Sequence, residues 1–158
     1  MLRPIDLRTA KAVLRDRRSD DWSEGYPQEG DRQLCELFVG LALQGAAGRE
    51  QDSELFSPHQ VILDHLVVGT ISCHRPPGPD GTVEIGYGLA PEWRGRGVAT
   101  TALARLSERL LAAGVRTIVA RTDMDNLASQ GVLRRCGYRL TGEGDDGSIL
   151  WELPGASR

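Results

Sequence analysis

A strand pattern, a glycine-rich basic loop and a helix pattern follow one another directly in this chain, and they restrict its fold more than any other feature. Thr82–Leu89 has the composition of a β-strand. A helix is predicted from about Gly97 to Ala113, with Gly114 just beyond its C-terminus. Its apolar residues recur with helical spacing, at Ala99, Ala102, Leu103, Leu106, Leu110 and Ala113. This succession is typical of α/β domains.

The rest of the 158-residue chain continues the alternation of strands and helices. Further strands are predicted at Leu2–Ile5, His59–Leu63, Leu66–Cys73, Arg116–Arg121, Tyr138–Thr141 and Ile149–Leu153. Further helices are predicted from a cap at Asp6 to about Arg15, from a cap at Asp31 to Gly45 and Gly48, and from a cap at Asp125 or Asn126 to Cys136, where Gly137 ends the helix. We therefore expect a single α/β domain over residues 1–158, with a mixed central sheet flanked by helices.

Composition and charge disfavour several classes of protein. The formal net charge is −3, whereas proteins that bind nucleic acid usually carry a basic excess. No apolar run approaches the ~20 residues that cross a bilayer, and the N-terminal residues lack an apolar signal core. The cysteines and histidines show no zinc-like spacing. We expect a cytoplasmic protein without a metal site and without a nucleic-acid or membrane partner.

The loop Arg94-Gly-Arg-Gly97 opens the long helix and has the features of a phosphate-binding site. A helix N-terminus presents unpaired N–H groups and a positive dipole end, and glycine lets a ligand approach the backbone. Arg94 and Arg96 add positive charge. The Gly-Lys-Ser/Thr ending of a P-loop is absent, and a dinucleotide fingerprint would need a third glycine where Thr100 stands. An ordinary loop with solvated arginines is the other interpretation.

Three blocks in this region resemble the GNAT superfamily of acyl-CoA N-acyltransferases, in particular its RimJ/RimL-like branch. Arg94-Gly-Arg-Gly97-Val-Ala99 is similar to the family signature Arg/Gln-x-x-Gly-x-Gly/Ala. Glu84-Ile-Gly-Tyr-Gly-Leu-Ala-Pro-Glu92 is similar to the strand before it. Asn126-Leu-Ala-Ser129, followed by Leu133-Arg-Arg-Cys-Gly137-Tyr138, resembles the next block. The close resemblance covers roughly residues 82–140, which it marks as the acetyl-CoA-binding core.

The resemblance implies a sheet whose central strands splay apart and hold the pantetheine arm of acetyl-CoA, while the pyrophosphate lies on the glycine loop. The positions implied for acetyl-CoA are Leu89, Arg94, Gly95, Arg96, Gly97, Val98, Ala99 and Asn126. It also implies an amine that attacks the thioester directly, without a covalent enzyme intermediate.

Catalysis by this route needs a group that takes a proton from the amine and a group that stabilises the departing thiolate. Glu84 is the candidate base, and burial is expected to raise its pKa. The alternative is a structural role, in which Glu84 pairs with an arginine or with backbone amides. Glu84 shares a strand face with Gly86 and Gly88, so a ligand or another backbone is expected to approach that face closely. Ser129 and Tyr138 are the candidates whose hydroxyl groups would protonate the thiolate. Alternatively, Ser129 bonds to the backbone in the first turn of a helix, and Tyr138 packs in the core.

The acceptor pocket is expected in the early loop of residues 19–30, because this region shapes that pocket in the resembled family. Trp22, Glu24 and Tyr26 are the candidate contacts, since aromatic rings and an acid suit a cationic amine. The leading hypothesis is an acetyltransferase acting on a small-molecule amine or a peptide N-terminus, as a monomer or a homodimer. A non-catalytic acyl-CoA-binding or regulatory domain and a nucleotide-binding α/β protein are the alternatives.

Overall fold

The computed structural model describes residues 1–44 and 54–155, and within these ranges a seven-stranded sheet carries helices on both faces. The strands are β1 (Leu2–Pro4), β2 (His59–Leu63), β3 (Leu66–Cys73), β4 (Thr82–Leu89), β5 (Thr117–Thr122), β6 (Arg139–Glu143) and β7 (Ile149–Pro154). The helices are α1 (Leu7–Leu14), α2 (Glu29–Leu43), α3 (Val98–Ala112) and α4 (Leu127–Arg135), and a 3-10 turn, Pro91–Trp93, precedes α3. The predicted α/β class is confirmed.

The sheet opens between its two central strands. The strand order is β1-β2-β3-β4-β5-β7-β6, and all neighbours are antiparallel except β4 and β5. The parallel pairing of β4 with β5 ends at Ile85, opposite Ala120. Beyond this point β4 runs on to Leu89 paired with β3, and β5 runs on to Thr122 paired with β7. The mixed sheet with splayed central strands is therefore confirmed.

Alternation along the strands divides the core between the two faces of the sheet. Val67 packs with residues of α1 and α2, while its neighbour Val68 packs with residues of α3, and both are fully buried. The predicted stripe of α3 supplies Leu103, Leu106 and Leu110 to the second face. Within the described residues, no helix has the length and apolar character needed to cross a bilayer.

Most predicted element ends are confirmed, and one helix cap is wrong. The Asp6 carboxylate accepts a hydrogen bond from the Thr9 amide at 2.7 Å and caps α1 as predicted. Helix α2 begins at Glu29 rather than behind Asp31. Asp31 lies in the first turn and accepts a hydrogen bond from the Gln28 amide at 2.6 Å, so its carboxylate reaches back to the cap instead of occupying it. The helix end predicted at Gly45 and Gly48 lies outside the described residues.

Candidate active site

The gap between β4 and β5 connects two cavities. The first, which we call the glycine-loop cavity, has a volume of about 490 Å³ and lies between the end of β4, the loop before α3, and α4. The second, the α2 cavity, has a volume of about 450 Å³ and lies between α2, β4 and β5. Tyr87, Asn126 and Ser129 line both cavities. These residues therefore lie where the two cavities adjoin, and we call this place the passage.

The glycine-loop cavity is shaped by the backbone that enters α3. Gly95 and Gly97 have φ angles of +73° and +75°, a left-handed conformation that glycine adopts without a steric penalty. Gly97 is the N-cap residue of α3, and its carbonyl oxygen accepts the Thr101 amide at 3.0 Å. The amides between these two residues have no acceptor within the helix. The cavity thus has a helix N-terminus at its wall, which favours an anionic group.

Two arginines line this cavity and a third does not. The Nε of Arg94 donates to the Leu89 carbonyl oxygen at 3.0 Å, which ties the loop to the end of β4. Arg135, in the last turn of α4, lines the opposite side. Arg96 instead lies over the Trp93 ring, 5.1 Å from its centroid, and lines a separate cavity of about 190 Å³ beside β2. Sequence reasoning did not single out Arg135.

The structure brings most of the residues predicted for acetyl-CoA to one place. Seven of the predicted positions line the glycine-loop cavity, namely Leu89, Arg94, Gly95, Gly97, Val98, Ala99 and Asn126. Arg96 does not, because its side chain stacks on Trp93. Tyr87 and Thr100 also line the cavity, although the sequence did not single them out.

Two hydroxyl groups meet at the passage. The hydroxyl oxygen of Tyr87 lies 2.7 Å from Oγ of Ser129, and it also donates to the Ser129 carbonyl oxygen at 3.2 Å. Asn126 caps α4 by accepting the Ser129 amide at 3.1 Å, which fixes Ser129 in the first turn. Burial raises the pKa of Tyr87, so its hydroxyl is neutral at physiological pH. The pair is a source of a proton or a hydrogen bond at the point where the cavities join.

Tyr138, predicted as an alternative acid, is placed away from both cavities. Its side chain is 3% exposed, and its hydroxyl oxygen lies 2.9 Å from Oγ of Ser107 on α3. Burial raises the pKa of Tyr138 far above its usual range. The chain turns at Gly137, where φ is +84°, and the ring then packs into the core. The tyrosine hydroxyl beside Ser129 at the passage is that of Tyr87, not that of Tyr138.

Glu84 lines the α2 cavity between His74 and Arg121. Its Oε1 lies 3.6 Å from Nδ1 of His74 and 3.2 Å from Nε of Arg121. His74 and then Arg121 hold the pKa of Glu84 below its usual value, against the opposing effect of burial. The expectation of a raised pKa is wrong, because the sequence did not show that His74, just after β3, and Arg121 on β5 lie beside this carboxylate.

The glycines of β4 leave room for side chains on the α2 face, as the bare strand face predicted. A Cβ atom added to Gly86 would lie 2.7 Å from Nε2 of His74. At Gly88 the nearest group is Oδ1 of Asp31, 3.9 Å from an added Cβ. The groups that approach this face are therefore an imidazole and a carboxylate. The sequence led us to expect a ligand or another backbone.

Acidic side chains dominate the charged lining of the α2 cavity. Glu84, Asp123 and Asp146 contribute three carboxylates to the lining, whereas Arg121 contributes one guanidinium group. Asp146 lies in the turn between β6 and β7, where the side chain and the amide of Ser148 lower its pKa; the amide donates to its carboxylate at 3.0 Å. An excess of carboxylates favours a cationic group in the cavity.

The three early-loop residues predicted to contact the acceptor do not line either cavity. The rings of Trp22 and Tyr26 meet edge to face with centroids 5.2 Å apart, and both are buried in the cluster with α1 and α2. The Tyr26 hydroxyl lies 3.3 Å from Oγ1 of Thr70 on β3. Glu24 is exposed and lines neither cavity. The loop packs across β3 because its aromatic rings are more stable buried than in water.

Comparison with known proteins is consistent with this geometry. A family model described as an acetyltransferase (GNAT) domain matches residues 1–139. The chain belongs to the GNAT family. The RimJ protein of Mycobacterium smegmatis, solved in complex with CoA-disulfide, shares the GNAT fold with a TM-score of 0.66 and 24% identity, over 97% of this chain and 80% of that one.

Curated GNAT relatives match shorter segments. A Photorhabdus laumondii acetyltransferase is 40% identical over 80 residues, which are 49% of this chain and 52% of that protein. An L-methionine sulfoximine/L-methionine sulfone acetyltransferase of Pseudomonas paraeruginosa is 36% identical over 63 residues, which are 40% of this chain and 37% of that protein. The matched segments thus span about half of these relatives or less.

Proposed function

We propose that this GNAT domain transfers an acetyl group from acetyl-CoA to a primary amine of a small molecule or of a peptide N-terminus. The observation that carries the proposal is the junction of the two cavities. One cavity has a helix N-terminus and two arginines, the other has an excess of carboxylates, and they meet at a pair of hydroxyl groups. An anionic donor and a cationic acceptor would therefore approach the same point from opposite faces of the sheet.

The glycine-loop cavity fits the chemistry of acetyl-CoA. The amides at the start of α3, with Arg94 and Arg135, would hold phosphate groups. The edge of β4 beyond Ile85 is not paired with β5, so its backbone groups are available to the amides of a pantetheine arm. The co-substrate supplies an acetyl group activated as a thioester. The CoA-disulfide in the RimJ relative supports this assignment.

The α2 cavity and the passage would act on the amine. Carboxylates in the cavity attract an ammonium group and orient it towards the gap. The transfer forms a C–N bond and breaks the C–S bond, and the sulfur leaves with the electron pair of the broken bond and takes a proton. The hydroxyls of Ser129 and Tyr87 are placed to donate a hydrogen bond or a proton at the passage. Tyr138 is not part of the proposed mechanism.

Titration calorimetry with acetyl-CoA tests the donor side of the proposal, with NADH and ATP as control ligands. Gly97→Glu places a negative charge and a side chain at the helix N-terminus, and we expect it to weaken acetyl-CoA binding at least about a hundredfold. Gly114→Glu is the matched control, because Gly114 also has a positive φ and open space around its Cβ position, but lies at the other end of α3. We expect it to bind acetyl-CoA as the wild type does.

The outcomes separate binding from catalysis. If the wild-type protein does not bind acetyl-CoA or CoA, the proposed function is wrong. If it binds them, release of free thiol in the presence of a panel of amines and peptides identifies the acceptor. Saturable binding without turnover of any member of the panel would instead support an acyl-CoA-binding or regulatory domain.

A further inference from the structure

His74 follows β3 directly and faces the α2 cavity from a fixed backbone. Its amide donates to the Glu84 carbonyl oxygen at 2.7 Å, which extends the pairing of β3 with β4 by one residue. The imidazole lies on the α2 face of β4, and its side chain is 32% exposed. It is therefore held in place by the sheet and still accessible from the cavity.

The two ring nitrogens of His74 have different surroundings. Nδ1 lies 3.6 Å from Oε1 of Glu84, at ion-pair distance. Nε2 lies against Gly86, where any larger residue would displace it. Among the described residues, the polar side-chain contact recorded for this ring is the one between Nδ1 and Glu84. This geometry favours the tautomer with the proton on Nδ1, and it leaves the lone pair of Nε2 for an external proton.

Glu84 is poorly suited to accept the proton itself. Its carboxylate lies between His74 and Arg121, and these partners lower its pKa. A carboxylate whose ionised form is stabilised is a weak base near neutral pH, whereas imidazole is the side chain that most often serves as a general base. The charged residues that line the α2 cavity with His74 are Glu84 on β4, Arg121 on β5, Asp123 and Asp146. Arg75 lines a smaller cavity that His74 also borders. Helix α2 presents the uncharged residues Gly30, Gln33, Leu34 and Leu37 to the cavity.

We propose that neutral His74 accepts a proton from the acceptor ammonium at Nε2, and that Glu84 is a positioning residue that holds the ring through Nδ1. This inference rests on the proposed function. The N–H bond of the ammonium breaks, its electron pair stays on the amine nitrogen for the attack, and the proton passes from Nε2 to solvent as the neutral ring is restored. Glu84 stabilises the imidazolium in between.

A pair of amines of similar size tests this role. Ethylamine is protonated at neutral pH, whereas 2,2,2-trifluoroethylamine is largely uncharged and needs no base before it attacks. We expect His74→Gln to lower kcat/KM for ethylamine by about 10²–10⁴-fold, and for trifluoroethylamine by less than about threefold. Acetyl-CoA affinity, measured by calorimetry, should be unchanged. His65→Gln is the control, because His65 lies in the exposed turn between β2 and β3 and should leave both rates unaltered.

Three results would overturn the inference. The first is an equal loss with both amines, which would indicate a structural role for His74. The second is an ethylamine rate that His74→Gln leaves intact. The third needs no acceptor: ¹⁵N NMR of the imidazole should show the proton on Nδ1 in the neutral ring, and a proton on Nε2 would exclude the proposed transfer. Failure of the wild type to bind acetyl-CoA would count against the proposed function instead.

Discussion

Asp31 is a carboxylate without solvent contact in the first turn of α2, and replacing it by asparagine should change how the stability of the protein depends on pH. Its side chain is 0% exposed. Oδ2 accepts the Gln28 amide at 2.6 Å, while Oδ1 has no hydrogen-bond partner among the described residues. Burial of this carboxyl raises its pKa from 3.8 to about 6. Compared with the unfolded chain, the folded protein thus favours the protonated form of Asp31.

The size and sign of the effect follow from linkage between protonation and folding. A shift of the pKa from 3.8 in the unfolded chain to about 6 in the folded protein corresponds to about 3 kcal/mol, because one pKa unit equals about 1.4 kcal/mol. This contribution to the free energy of unfolding is fully present below pH 3.8, and it is lost as the pH rises through about 6. Asp31→Asn does not titrate, so its stability relative to the wild type should rise by about 2–3 kcal/mol between about pH 4 and pH 7.5.

Urea unfolding followed by tryptophan fluorescence measures this difference at each pH. The change with pH is the quantity of interest, because it is independent of any fixed cost of fitting the asparagine amide. Asp6→Asn is the matched control. The Asp6 carboxylate caps α1, and its hydrogen bond with the Thr9 amide lowers its pKa, so this variant should lose stability relative to the wild type as the pH rises. A stability difference for Asp31→Asn that is flat with pH, or that falls, would refute the reasoning.

Three further variants test packing and the passage. Leu103→Ala removes a fully buried side chain of α3 and should lower the free energy of unfolding by about 2–5 kcal/mol. The control Leu127→Ala, at a side chain 71% exposed, should change it by less than about 0.5 kcal/mol. Equal effects in urea unfolding would contradict the placement of the core. Gly69→Ala should destabilise the sheet strongly, because its Cβ would overlap the Gly88 carbonyl oxygen, and an unchanged melting temperature would be inconsistent with the close pairing of β3 and β4. Tyr87→Phe removes the contact with Ser129 and should lower kcat about tenfold or more without changing acetyl-CoA affinity; an unaltered kcat would exclude the hydroxyl pair from the chemistry.

Local patterns were sufficient for the elements and for one side of the site. The bounds of β2, β3 and β4 follow from the sequence, because runs of strand-forming residues end there at turn residues. The loop before α3 was also predictable, since a left-handed glycine at a helix N-terminus is a local backbone requirement. Leu89 and Asn126 lie at the ends of local elements, β4 and α4, and the structure places both in the glycine-loop cavity.

Residues that act through contacts with other elements could not be predicted in this way. His74, Glu84 and Arg121 lie on separate parts of the chain, and the pairing of β4 with its neighbours on both sides brings them together. The same pairing reverses the expected direction of the pKa shift of Glu84. Tyr87 and Tyr138 both follow a glycine in the sequence, and their directions from the backbone make one face the passage and the other the core.

The order of strands and helices and the glycine loop were predictable from the sequence, because hydrophobic periodicity and turn chemistry are properties of neighbouring residues. The family resemblance rested on three short sequence motifs. Which side chains share a cavity depends instead on the packing of remote segments. The tertiary structure placed Trp22 and Tyr26 in the core and gathered the carboxylates of the α2 cavity from β4, the end of β5 and the last turn. Burial and charge at these positions depend on distances between remote segments, and those distances are set when the sheet assembles.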